Sequence, residues 1–137
     1  MVSRASFLRM AGAMGSTALA GSAARAQALP RPTRAEMLEA IQKQMNETYL
    51  SEGYKARYGN TGITIVTTEP KFGQMGTKQM YAGRQPQPFW PVKMSATVTV
   101  KSSKKPDETI VWGGKPADVW YFHKTSFGDW GYRIGSE

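Results

Sequence analysis

At 137 residues the chain has room for one domain and one modest core. It contains no cysteine, which excludes disulfides, a cysteine nucleophile and Cys-based metal centres, and its single histidine excludes a His cluster for zinc. The net charge of +8 is spread along the chain, with Lys104-Lys105 the only adjacent basic pair, so the clustered basic face that nucleic-acid binding requires is absent.

The first predicted element is an address. Arg4 and Arg9 precede a weakly apolar run, Met10 to Ala20, and Ala24-Arg25-Ala26 follows as a small-residue cleavage site. This pattern predicts a cleavable export signal over residues 1–28 and a periplasmic domain over residues 29–137. The run is well short of the roughly 20 apolar residues of a spanning helix, and no later segment approaches that length, so no transmembrane span is expected in the mature chain. Ser3-Arg4-Ala5-Ser6-Phe7-Leu8-Arg9 resembles a twin-arginine signal of the form S-R-R-x-F-L-K, with Ala5 in place of the second arginine. The general and the twin-arginine export routes both stay open. Removal of Arg4, Arg9 and Arg25 leaves 15 of the 18 basic residues against 10 acidic ones. That mild positive field suits an acidic partner or an anionic membrane surface.

After the extended Leu29-Pro30-Arg31-Pro32, Thr33 and Glu36 have the spacing of a capping box. Met37, Leu38, Ile41, Met45 and Tyr49 recur at three and four, which predicts a helix from Arg34 to about Leu50, stopped by Gly53. Glu39 and Lys43 form an i,i+4 pair on its outer face. Residues 53–61 read as a turn-rich linker and Ile63–Thr67 as a β-branched strand. Residues 69–91 are irregular, rich in Gly and Pro, with a short strand expected near Lys78 to Tyr81. Val92 to Lys101 alternates apolar and polar without a break, the mark of a strand with one wet face. Lys104–Asp107 makes a turn into a strand at Thr109–Trp112. Val119–Lys124 and Trp130–Ile134 follow as a hairpin joined by Ser126-Phe127-Gly128-Asp129, with Gly128 available for a positive φ.

The expected fold class is α+β, one N-terminal helix packed on a curved antiparallel sheet of four to five strands. The ending Trp120-Tyr121-Phe122-His123-Lys124 … Phe127-Gly128-Asp129-Trp130 and the order of elements resemble cystatin-like and NTF2-like domains, whose last aromatic strand turns through a short Gly-containing loop into a final strand. A single strong N-terminal helix favours the cystatin-like arrangement. The resemblance carries no catalytic residue to this chain.

Little in the sequence carries chemistry. There is no G-x-S-x-G elbow and no phosphate-cradling glycine loop, and Gly113-Gly114-Lys115 lacks the required spacing. Ser126, His123 and Asp118 or Asp129 have the residue types of a triad but lie too near one another along strands to point together readily. Asp118 reads as a turn residue, or as a carboxylate whose burial would make it a base. No cofactor and no metal site is expected. The remaining signal is aromatic. On strand 119–124, Val119, Tyr121 and His123 share one face, and Trp120 and Phe122 the other, so both faces need cover. The 69–91 loop, a small apolar ligand or a partner protein would supply it. Gln85-Pro86-Gln87-Pro88-Phe89-Trp90-Pro91 has PPII character and reads as a partner anchor or as a strap over the core. Candidate binding residues are therefore Tyr81, Arg84, Phe89, Trp90, Lys93, Trp120 and His123. Two functional readings follow. One is a non-catalytic periplasmic accessory or binding protein that docks on a larger protein assembly or membrane-surface partner. The other is a small-ligand pocket of the NTF2-like kind between helix and sheet, with or without weak acid–base catalysis by Asp118, Tyr121 or His123.

Overall fold

The computed structural model describes residues 29–136, and the predicted export signal lies outside them. From Arg31 the chain forms a single compact unit. Its first element is the predicted helix, α1 (Arg34–Tyr49), opened by a complete capping box. The Thr33 hydroxyl accepts from the Glu36 N–H at 3.1 Å, and the Glu36 carboxylate accepts from the Thr33 N–H at 2.8 Å. That backbone bond holds the Glu36 carboxyl below its ordinary pKa. Met37, Ala40, Ile41 and Met45 are buried, whereas Leu38 stays half-buried. Lys43 pairs with Asp129 at 3.6 Å rather than with Glu39.

The linker expected at 53–61 contains a second helix, α2 (Glu52–Tyr58), capped by Ser51 and ended by Gly59 at φ +70°. Gly53, the expected helix stop, sits in its first turn. None of its residues is buried, so it leaves no apolar periodicity in the sequence. What holds it is capping and the Lys104 side chain, which crosses Gly59 and donates to the Ala56 carbonyl at 2.9 Å.

Eight strands follow: β1 (Asn60–Thr67), β2 (Lys71–Phe72), β3 (Gly76–Lys78), β4 (Gln87–Lys93), β5 (Ala96–Ser102), β6 (Glu108–Trp112), β7 (Asp118–Lys124) and β8 (Trp130–Ser136). They make two antiparallel sheets instead of one. The first has the order β1-β5-β6; the second runs β2-β4-β7-β8, with β3 also pairing β4. The class is α+β as expected, with two helices and sheets of three and five strands.

The division falls inside the run expected to be one strand. Val92, Met94, Ala96, Val98 and Val100 are all buried, so the alternation of faces continues straight through. Hydrogen bonding does not: β4 pairs with β2, β3 and β7, and β5 with β1 and β6. At the junction the Met94 carbonyl accepts from the Trp120 indole at 2.8 Å. Ser95 bonds Thr68 through both its N–H (to the hydroxyl, 2.9 Å) and its carbonyl (from the Thr68 N–H, 3.0 Å). Backbone groups freed by the break are thereby satisfied.

The stretch expected to be PPII is a strand from Gln87 onward, and the strand expected at 78–81 lies at Gly76–Lys78. Two prolines sit in β4: Pro88 lies outside Trp90–Val92, the stretch that β7 pairs, and Pro91 turns its missing N–H to the outer edge. On the outer edge β3 covers Gln87–Phe89 and β2 covers Val92–Lys93, and Gly73, just past β2, bonds Pro91. A strand residue points its carbonyl and its N–H to the same edge. The Pro91 carbonyl accepts from the Gly73 N–H, so the missing N–H faces that outer edge, past the end of β2, and not β7.

The core lies between α1 and the inner faces of the strands. Trp120 and Phe122 stack with centroids 6.1 Å apart, and Tyr132 tilts against both. Among the described residues no helix is long and apolar enough to cross a membrane.

Candidate binding cleft around His123

Strand β7 presents Trp120 and Phe122 to the core and Tyr121 and His123 to the opposite face, as the alternation predicts. That second face is covered by the chain itself. Residues 79–86 form a strap that lies over it, anchored by Met80, which is buried, and by Tyr81. The Tyr81–Arg84 turn is closed by an Arg84 N–H to Tyr81 carbonyl bond at 3.1 Å, with Gly83 at φ +76° in the position that needs it. The Gln79 amide donates to the Arg84 carbonyl at 3.0 Å, and the Arg133 guanidinium donates to the Met80 carbonyl.

Under the strap His123 is 1% exposed. Its Nδ1 lies 2.8 Å from the Gln87 amide nitrogen and its Nε2 3.1 Å from the Tyr81 hydroxyl, whose ring meets the imidazole edge-on at 5.6 Å. With the Gln87 amide donating to Nδ1, the ring is the neutral Nε2–H tautomer, and Nε2–H donates to the Tyr81 oxygen. The phenolic proton is then free to face outward. Burial pushes the imidazole below its ordinary pKa, and the nearby Arg133 charge adds to this against an opposing contact with the Lys124 carbonyl. The only histidine is therefore a neutral, doubly held strut at neutral pH.

A cleft of about 380 Å³ opens beside this strut, lined by Tyr81, Arg84, Gln87, His123, Thr125 and Ser126 among others. Hydroxyls and the Arg84 cation dominate it, and no aspartate or glutamate lines it. Arg133 stands behind, 5.5 Å from the Tyr81 ring centre. Lys124 reaches the rim, but its ammonium lies 4.5 Å over the Trp130 ring on the other side of the strand.

Of the seven residues expected to bind, Tyr81, Arg84 and His123 come together here. The others do not. Phe89 shares the face but is packed edge-on against Tyr121 at 5.1 Å and against Gly76. Trp90 is on the core side, half-buried, with Phe72 at 6.2 Å and the Arg31 guanidinium over its ring. Lys93 donates to the Pro116 carbonyl at 2.7 Å and lines a different cleft with Lys71 and Lys115. Trp120 is fully buried and its N–H is spent on Met94. Gln87, Thr125 and Ser126 are the additions; a glutamine inside a Pro-rich run carries no sequence mark.

The triad of residue types does not form. Ser126 is near His123, but the imidazole is oriented by Gln87 and Tyr81, not by a carboxylate. The Asp118 carboxylate accepts from the Lys115 N–H at 3.0 Å and so holds a turn, and Asp129 pairs with Lys43. Tyr121 donates to the Ser136 carbonyl at 3.2 Å and does not line the cleft. Among the described residues no three His, Asp or Glu side chains gather as a metal site. The arrangement can therefore bind an acceptor-rich or anionic group but offers no nucleophile with its base.

Set against known proteins, the chain matches no family model, no curated protein and no solved structure.

Proposed function

We propose that this chain is a non-catalytic binding protein, exported to the periplasm, that docks on a larger protein assembly through an acidic segment of its partner. The observation that carries this reading is the composition of the His123 cleft: a cation and several hydroxyls, no carboxylate, and a histidine held neutral instead of poised for proton transfer. A partner carboxylate there would meet Arg84 and the outward Tyr81 hydroxyl, and the mature chain's 15 basic residues against 10 acidic ones would speed its approach. We read the fold as a variant of the cystatin-like arrangement, on the order of its elements from capped helix to final aromatic hairpin.

The test is a pull-down with the full chain, expressed with its own leader and a C-terminal tag in its native host, followed by mass spectrometry. A stoichiometric partner that survives Arg84→Lys but is lost on Arg84→Glu is the expected result. A partner set indifferent to the sign of residue 84, or none at all, overturns the reading.

A further inference from the structure

A second cleft of about 320 Å³ lies on the core side of the sheet, away from His123, between α1 and β8. Met45, Thr48, Tyr49, Trp112, Tyr132 and Ile134 line it. Four buried side-chain polar atoms among the described residues have no hydrogen-bond partner, and two of them belong to this lining: the Tyr132 hydroxyl and the Trp112 indole N–H. Tyr132 is 9% exposed. A third polar group stands beside them. The Tyr49 hydroxyl lies close enough to the Trp112 indole N–H and to Tyr132 to feel both.

Buried donors left unmade are costly, so folded proteins seldom keep them without a use. All three groups can donate. An indole N–H can only donate, and burial pushes the Tyr49 and Tyr132 hydroxyls above the ordinary phenol pKa, so both stay protonated as donors. Phenol oxygens can also accept, yet the Tyr132 hydroxyl and the Trp112 N–H are left without a partner at hydrogen-bond geometry, and an added acceptor oxygen would serve both. The lining is mixed: Met45, Ile134 and the three aromatic rings are apolar, Gln44, Thr48 and Arg133 add polar groups, and the volume is at the small end for a ligand site.

We propose that this cleft binds a single-ring aromatic or short-chain apolar compound through one carbonyl or carboxylate oxygen, which accepts from Tyr132 and Trp112. The apolar body replaces water against Met45 and Ile134, while the oxygen serves both unpartnered donors. This site is independent of the His123 cleft, so either can fail without the other.

Ligand-observed saturation-transfer NMR on the whole protein tests it, with acetophenone and benzoate as acceptor-bearing probes and ethylbenzene as the acceptor-free match. Binding of at least one acceptor probe is expected, with ethylbenzene about tenfold weaker. Tyr132→Phe, which keeps the ring and removes only the hydroxyl, should lower acceptor-probe affinity by about tenfold, a difference of roughly 1.4 kcal/mol. It should leave ethylbenzene binding unchanged and the melting temperature of the free protein no lower than wild type. Should Tyr132→Phe not fold, Trp112→Phe carries the same expectation. The proposal is overturned if neither acceptor probe binds at millimolar concentration, as when an ordered water alone fills the cleft. Equal affinities for acetophenone and ethylbenzene, or for wild type and variant, overturn it as well.

Discussion

Strand β7 builds two different kinds of interior from alternate residues. Toward α1, Trp120 and Phe122 stack with Tyr132 in a core held by area and shape, with one polar tie from Trp120 to the Met94 carbonyl. Toward the 79–86 strap, His123 is just as deeply buried but is held by Gln87 and Tyr81 through directed hydrogen bonds. The first interior is insensitive to pH and intolerant of lost volume. The second is sensitive to protonation, and it leaves an open cleft beside it because a strap touches a sheet along a line instead of covering it. The proposed partner site lies on the side where burial was achieved with polar atoms.

The comparison can be broken most severely from the core side. Phe122→Ala should cost about 3–5 kcal/mol, the range for removing a buried aromatic ring, read from urea unfolding. A loss near 1 kcal/mol would mean that the stack is not the centre of the fold. Gly113→Ala comes next. A Cβ at this position would stand 2.0 Å from the Trp120 indole nitrogen, on a backbone with φ +69°. Overpacking and left-handed strain together predict roughly 2–4 kcal/mol. An unchanged melting temperature would show that Trp120 can leave its bond to Met94 without penalty.

On the strap side the effects are smaller and of a different kind. His123→Leu fills most of the space but strands the Gln87 amide, for about 1–3 kcal/mol, and should raise hydrogen exchange across residues 79–86 first. The pH dependence has a defined sign. The unfolded chain takes up a proton at His123 near the ordinary value of about 6.5, whereas in the folded chain burial lowers that value. Stability from this residue is therefore complete above about pH 6.5 and declines as pH falls through the depressed folded value. Glu36, the carboxyl shifted down by its cap, acts in the same direction but only in the lower carboxylate range. Melting curves at about pH 7.5 and about pH 5 should differ more for wild type than for His123→Leu; identical differences would show that His123 is not the titrating group. Arg84→Ala is the mildest change. Its exposed side chain should matter to stability by less than about 0.5 kcal/mol while partner retention falls, which separates binding from folding.

Much of the core side was legible before the fold. The capping box at Thr33 and Glu36, the Met37/Ile41/Met45 stripe and the alternation from Val92 to Val100 are local patterns, and local sterics and hydrogen bonding enforce them. The strap side was legible only in part. Tyr81, Arg84 and His123 stood out as an exposed-type tyrosine, a cation and a lone imidazole, but nothing in the chain joined Gln87 to them. Helix α2 was missed because a helix without a buried face has no period to read. Phe89 and Trp90 looked like anchors because two prolines argued against a strand; where those prolines sit, neither costs a bond to β7.

Taken alone, the sequence determined most of the inward face of α1 and of the Val92–Val100 alternation, where α1 begins, and that no cysteine or histidine cluster stabilises the fold. These follow from the spacing of neighbours and from which side chains exist at all. The tertiary structure alone decided that a continuous apolar alternation divides between two sheets, because partner choice is made strand against strand and leaves no mark along the chain. It also decided that both histidine ring nitrogens are engaged by Gln87 and Tyr81, and that Trp112 and Tyr132 meet beside Tyr49 with donors unspent. Each of those meetings joins residues from separate elements, so it exists only once the chain has closed around its core.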